Sequence, residues 1–334
     1  MSITVKELAK ICNLSEAAVS MALRNKPGVS SETRRKIMEL AQQHGYDFSR
    51  ALKQGANTRH ITFAVYKRQG AIVGETPFFS ELSEGIELAC ADNQYNLRIA
   101  YIHKGDDIQK KIDEISYSDC SGIILLGTEM QEEDFSPFKN IQKPLVVLDV
   151  FLDFIKYDCV LINNIQGALI ATDYLISRTM KQPGYLRSSY PIANFNERAD
   201  GFYKAVRHYG MSTSKSIVHR LTPSIDGACA DMLMLMEQGE SLASCYFADN
   251  DWIAIGAMKA FQLRGLRIPD DIAVIGFDNV PLASYIEPAL TTIHVPKKYM
   301  GEMAVSRLIS KIGDQTHSPI KIEISTSLIK RRSI

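Results

Sequence analysis

The sequence of 334 residues has a single tryptophan, no Cys-x-x-Cys pair and no formal net charge, with 38 basic residues against 38 acidic ones. Six cysteines (Cys12, Cys90, Cys120, Cys159, Cys229, Cys245) are scattered, mostly within apolar runs, where reduced buried thiols are the expected role. No apolar run approaches the ~18 residues of a membrane span, and Met1 to Glu7 lack the apolar core of a signal peptide. The chain is therefore expected to be cytoplasmic and in no membrane. Seven histidines stand at no metal-ligand spacing, and H-E-x-x-H, G-x-S-x-G, G-x-x-x-x-G-K-[ST] and a G-x-G-x-x-G after the first strand are all missing. No metal, no cofactor and no catalytic residue are expected. A cleft enzyme is the alternative without a positive signal.

The charge balance hides an asymmetry. Residues 1–60 hold ten basic and five acidic residues, so this end is +5 and the remainder −5. A basic head on a slightly acidic body points to a polyanionic partner at one end, although a solvated charged face has the same composition. Residues 1–46 read as three short helices. Thr4 and Glu7 have capping-box spacing, Asn13 suits the left-handed turn that ends a helix, and Ser15 and Ser30 or Ser31 suit helix starts. Ala9 is small where the first helix would cross the second, and Val19 would lock the second into the core, a helix-turn-helix pattern. In that arrangement Glu16, Ala17, Ser20 and Met21 would face the major groove. Thr4, Ser15, Ser30, Thr33 and Tyr46 offer hydroxyls to phosphates, and Arg24 and Arg34 offer charge. A plain three-helix bundle is the alternative; the basic excess favours DNA.

From Ile61 onward short apolar runs alternate with helical patterns, which predicts parallel sheets covered by helices, an α/β body beside a small all-α head. One pattern recurs: Phe79-x-Glu81-x-x-x-Gly85-Ile86 is echoed by Phe195-x-Glu197-x-x-x-Gly201-Phe202. Two similar lobes with a cleft between them follow, and ligands of parallel sheets bind beyond the carboxyl ends of strands. Asp149, Asp249 with Asn250, and Asp278 each follow an apolar run, and Arg198 would open a helix of the second lobe. Such groups suit bidentate hydrogen bonding to a small polar molecule. Helix capping is the competing role for each of them, most directly for Asp249 or Asn250.

These residues resemble the LacI/GalR family of bacterial transcriptional regulators along essentially the whole chain. The matching runs include Thr4 to Ala9, Leu14-Ser15 with Val19-Ser20, Val29 to Arg34, Pro77 to Leu82, Gly122 to Gly127, Pro144 to Asp149, Arg198 to Phe202, Asp249 to Asp251, and Gly265 to Asn279. The resemblance implies a periplasmic-binding-protein-like body and a homodimer on near-palindromic, double-stranded operator DNA. A small-molecule effector, a sugar or sugar derivative, would control that binding, most often as repression. It puts effector contacts at Phe79, Asp149, Arg198, Asn250, Asp278 and Lys297, and a minor-groove wedge at Leu52. The implied division is a head at 1–46, a hinge at 47–59, a first lobe at 60–160 with 293–320, and a second lobe at 161–291 with 321–334. A solute-binding protein without a DNA role is the alternative, against which the basic head and the missing signal peptide argue. Four positions depart from the family pattern. Met21 replaces a groove-reading Arg, the hinge is about three residues short, Thr179-Met180 replaces Gly-His, and Lys297 replaces an aromatic found in some relatives.

Overall fold

The structure is a computed structural model that describes residues 3–23, 28–46, 59–70, 72–73, 77–116, 118–154, 156–314, 316 and 318–334. The head consists of α1 (Val5–Cys12), α2 (Glu16–Leu23) and α3 (Ser31–Gln43). Its boundaries follow from local chemistry. Thr4 Oγ1 accepts from the Glu7 N–H at 3.3 Å while Glu7 Oε2 accepts from the Thr4 N–H at 2.8 Å, closing the capping box. Asn13 ends α1 at φ +52°, Ser15 Oγ accepts from the Ala18 N–H, and Ser30 Oγ accepts from the Thr33 N–H. Leu8, Ala9, Val19, Ala22, Ile37 and Ala41 form a separate small core. Residues 47–58 of the expected hinge, with Leu52, and Arg24 lie outside the described residues, while Arg59, also expected in the hinge, begins the first strand of the body.

The first lobe is built on a wholly parallel sheet in the order β11-β5-β4-β3-β1-β2. Its strands are β1 (Arg59–Lys67), β2 (Tyr95–His103), β3 (Cys120–Leu126), β4 (Leu145–Leu148), β5 (Asp158–Ile162) and β11 (Lys321–Ile324). Alternation along the strands divides the core: Ile61, Phe63 and Val65 point to one face, Ala64 and Tyr66 to the other. Helices α4 (Pro77–Asp92) and α5 (Ile108–Ser116) follow β1 and β2, and α10 (Lys297–Gly313) returns to pack on α4. The second lobe has a parallel sheet in the order β7-β6-β8-β9, from β6 (Gly184–Ser188), β7 (Val218–Leu221), β8 (Cys245–Ala248) and β9 (Ala273–Ile275). Its helices are α6 (Asn164–Thr179), α7 (Ala193–His208), α8 (Ile225–Glu237) and α9 (Asp251–Leu263).

The repeated pattern is structural. Phe79 and Phe195 are each the third residue of their helix, α4 and α7. A Cβ on Gly85 would lie 2.1 Å from the Lys298 carbonyl oxygen, and one on Gly201 would lie 2.3 Å from that of Ile165. In both lobes the glycine lets a second helix approach to backbone contact, α10 on α4 and α6 on α7.

Two expected boundaries move. Residues 321–324 were expected in the second lobe, but β11 pairs with β5 and extends the first sheet. The reason lies in the register: Ile322 and Ile324 complete the edge beside Val160 and Ile162. The division expected after residue 160 likewise shifts, since β5 stays in the first sheet through Ile162. Beyond it, β12 (Ser327–Ile329) crosses back to pair antiparallel with β10 (Thr292–His294).

Candidate functional site

On the head, Glu16 and Ala17 are exposed and Ser20 and Met21 half-buried at the start and middle of α2. A Cβ on Gly28 would sit 3.5 Å from Met21 Sδ, so Met21 leans towards the segment after α2. Thr4, Ser15 and Ser30 are exposed with their hydroxyls already capping helices, and Thr33 Oγ1 lies 2.8 Å from Ser30 Oγ. Tyr46 packs on the head core, its N–H bonded to the Ala41 carbonyl. Arg34 was expected to offer charge to phosphate. Its Nη1 donates to the Ala22 carbonyl at 3.2 Å and approaches that of Met21 at 3.5 Å, holding the carboxyl end of α2.

The second site lies where the carboxyl ends of both sheets face each other. Arg198 was expected to open its helix, but α7 begins at Ala193, which puts Arg198 in the second turn, 4% exposed and turned inward. Its Nε donates to Asn164 Oδ1 at 2.9 Å, its Nη1 donates to the Asp249 carbonyl, and its Nη2 lies 3.2 Å from Asp278 Oδ1. The guanidinium carbon stands 3.8 Å from the Phe277 ring centroid and 5.3 Å from that of Phe195. The contact with Asp278 is an ion pair without hydrogen-bond alignment, and Asp278 Oδ1 accepts no hydrogen bond among the described residues.

Asp149 ends β4 at φ +62° and reaches across the lobes. Its Oδ2 accepts from Thr128 Oγ1 at 2.6 Å, and Asn194 of α7 donates to its Oδ1 and carbonyl oxygen at 3.1 and 3.0 Å. Asn250 is the N-cap of α9, accepting the Ile253 N–H at 3.0 Å, so the capping role applies to it. Asp249 caps nothing; it accepts from the Tyr185 hydroxyl and the Ser188 N–H. Asp251 accepts from Thr292 Oγ1 at 2.6 Å and the Val280 N–H at 2.8 Å. Lys297, 1% exposed, directs Nζ to the Asn279 carbonyl at 3.5 Å and to Glu81 Oε2 at 3.6 Å. Phe79 packs against the cross-lobe cluster of Ile72, Ile192 and Phe195.

Negative charge therefore dominates a buried place. Burial pushes the Asp149 carboxyl up to about 7, with the Thr128 hydroxyl and Arg198 opposing and the Asp278 carboxylate adding to the rise. Burial and Asp278 bring Asp251 to about 7, and burial brings Asp249 to about 6 against the Tyr185 hydroxyl. Asp278 is raised by burial, with Arg198 and Lys297 pulling it down. The sequence reading missed Thr128, Asn164 and Asn194. Asn164 and Asn194 lie within the first two residues of α6 and α7, where an amide reads as a helix-start residue rather than as a partner from another element. Among the described residues no group of His, Cys, Asp and Glu is placed to hold a metal, and no helix is long and apolar enough to cross a membrane.

Comparison with known proteins agrees with this two-part architecture. Residues 4–48 match the bacterial regulatory proteins of the lacI family, and residues 172–334 match a periplasmic binding protein-like domain. The HTH-type transcriptional repressor PurR of Aliivibrio salmonicida is 27% identical over 335 residues, covering 99% of this chain and 98% of its own length. The ribose operon repressor of Haemophilus influenzae is 28% identical over 337 residues, with the same coverage. A lac repressor dimer, solved bound to operator and the anti-inducer ONPF, superposes with a TM-score of 0.71 at 20% identity, covering 100% of this chain and 99% of that one. These relatives are repressors rather than enzymes. With a helix-turn-helix head, a two-lobed body and matches spanning both, the chain belongs to the lacI family of bacterial regulatory proteins.

Proposed function

We propose that the chain is a homodimeric repressor that grips near-palindromic operator DNA through its heads and is switched by an uncharged sugar held between the lobes. The observation that carries the effector reading is Arg198. Three of its nitrogens are turned to Asn164, Asp249 and Asp278, from separate segments, and Asp278 Oδ1, ion-paired with Arg198, has no aligned hydrogen-bond donor among the described residues. A sugar hydroxyl supplies that donor, and Asp149, Asn250, Lys297 and Phe79 stand around it. The ribose operon repressor among the relatives supports the same ligand class. The acidic surroundings support the uncharged form: four carboxyl groups are buried here, and Arg198, Lys297 and Arg331 already have partners, so a phosphate ester meets acidic groups with no unengaged cation among these residues.

The head supports DNA binding through Glu16, Ala17, Ser20 and Met21 on α2, with Thr4, Ser15, Ser30, Thr33 and Tyr46 towards the backbone. A DNA target places the protein in the cytoplasm. Dimerisation is supported by the outer strand β2, where Ile99 and Tyr101 are 46% and 51% exposed. Two experiments on the full chain test the proposal. Selection from random DNA should return a near-palindrome, and a thermal-shift screen of sugars beside their phosphate esters should return stabilisation by an uncharged member only. Selection without a consensus removes the operator reading, and a screen answered by a phosphate ester removes the effector class.

A further inference from the structure

Glu129, three residues beyond β3, has no part in the contacts around Arg198, yet its environment is unlike that of any other carboxylate described. It is 2% exposed, and its two oxygens accept five backbone N–H groups from the segment that follows β1. Oε2 takes those of Arg68, Gln69 and Gly70 at 2.8, 2.9 and 2.9 Å; Oε1 takes those of Ile72 and Val73 at 3.0 and 3.1 Å. Burial opposes the charge, but the N–H groups of Gly70, Gln69, Val73 and Ile72 outweigh it and hold the carboxyl below its ordinary range. Gly70 at φ +76° gives the backbone the left-handed step needed to turn successive N–H groups inward. Arg68 is also held by Asp134 and Glu133, and Val73 by the first-lobe core, but among the described residues only Glu129 binds the backbone N–H groups on both sides of the turn.

What the segment touches gives the arrangement its consequence. Ile72 leaves the first lobe and packs with Ile192 and Phe195 of the second, and Phe195 lies 5.3 Å from the Arg198 guanidinium carbon. Two residues past Glu129, Gln131 Nε2 donates to the Pro191 carbonyl at 3.0 Å, again across the lobes. One carboxylate thus sits at the root of two first-lobe contacts at the start of α7, beside those that Asp149 makes with Asn194 and Phe79 with the Phe195 cluster. We propose that Glu129 is a positioning residue of the cleft: it shapes the backbone after β1 so that Ile72 reaches Phe195, and through Phe195 it sets the seat of Arg198 and the closure of the lobes. The inference rests on the reading of this cleft as the effector site.

The test is amide hydrogen exchange on the full chain, with no effector or DNA, for wild type, Glu129→Gln, Glu129→Asp and Ile72→Ala. In Glu129→Gln an amide nitrogen replaces one acceptor oxygen, so exchange at 68–70 and 72–73 should quicken by about tenfold or more. The proposal requires exchange at 193–198, across the cleft, to quicken with it, while Cys245 to Ala248 in the second sheet stay protected. Ile72→Ala should quicken 193–198 and leave 68–70 protected. Glu129→Asp keeps the charge but is too short to reach both groups of N–H, and should fall between wild type and Gln; it serves if the Gln variant does not fold. Quickening confined to 68–73, with 193–198 as in wild type, overturns the proposal, as does unchanged exchange at 68–73. Because no ligand enters the measurement, either result leaves the sugar reading to its own screen.

Discussion

The Arg34 guanidinium donates to the Ala22 carbonyl oxygen from one helix of the head to the end of another. This bond ties α3 to the carboxyl end of α2, the helix that carries Glu16, Ala17, Ser20 and Met21. Arg34→Ala should therefore lower the stability of the head by about 1–2 kcal/mol and weaken operator binding for every sequence alike. The salt dependence separates the two roles. A lost phosphate contact lowers the log–log slope by about 0.9, whereas a lost helix tie leaves it unchanged. We expect the unchanged slope, measured by operator titration at several salt concentrations.

Met21 is apolar at a position where base reading is expected. It can pack on a thymine methyl group but cannot fork onto guanine. Met21→Arg should gain a guanine in the selected half-site, with sugar binding untouched. Identical consensus sequences from the two proteins would remove Met21 from base recognition.

Asp278 offers the cleanest single change in the cleft. Asp278→Asn keeps the shape, removes one charge from a buried cluster and halves the acceptor capacity that a sugar hydroxyl would use. Binding of the sugar found in the screen should weaken by about 2–4 kcal/mol in calorimetry, with operator affinity close to wild type. Arg198→Ala should weaken it similarly but also lower the melting temperature, because Asn164 Oδ1 and the Asp249 carbonyl lose their buried donor. Full sugar affinity in Asp278→Asn would place the ligand elsewhere in the cleft.

The buried carboxylates also predict a pH dependence. Asp149 and Asp251, raised to about 7, and Asp249, raised to about 6, bind protons in the folded chain that the unfolded chain has released. Stability of the body should therefore fall as pH rises from near 4 towards 7 and level off above, the sign set by the extra protons of the folded state. Glu129 and Asp158 are lowered and act in the opposite sense at more acid pH, so their loss appears below the ordinary carboxylate range. Thermal transitions at pH 5.5 and 8 check this. Asp149→Asn should shrink the difference between them by about 1–3 kcal/mol.

Gly85 and Gly201 make a paired prediction. An added methyl group would meet backbone oxygen at 2.1 and 2.3 Å, and backbone in a packed helix pair cannot rotate away as a side chain can. Gly85→Ala and Gly201→Ala should each destabilise by about 1–3 kcal/mol or more, read from denaturant midpoints. Gly210→Ala is no neutral control, since its φ of +67° is itself strained for alanine.

The helix-turn-helix head, the two parallel lobes and the residues at the strand ends were all legible in the sequence, because each depends on local chemistry. Capping at Thr4 and Ser30, the turn at Asn13 and the short apolar run from Ile61 to Tyr66 need only neighbours along the chain. The repeat around Gly85 and Gly201 was also visible, though not its reason, which is a second helix brought in from elsewhere. Tertiary structure decided what no local pattern contains. Arg34, read from the sequence as a phosphate candidate, also ties two helices because α3 crosses the end of α2. Asn250 became a cap and Asp249 a partner of Tyr185, a choice made by a strand 64 positions away. The strand at 321–324 joined the first sheet because its pairing edge is β5, more than a hundred residues earlier. Glu129 gave no sign of its five donors, since they belong to the segment after β1 and reach it only when the chain folds β1 beside β3. Sequence determines which groups can cap, alternate or charge a segment; only the meeting of distant segments decides which of them share a buried space, and burial is what gives a charge its role.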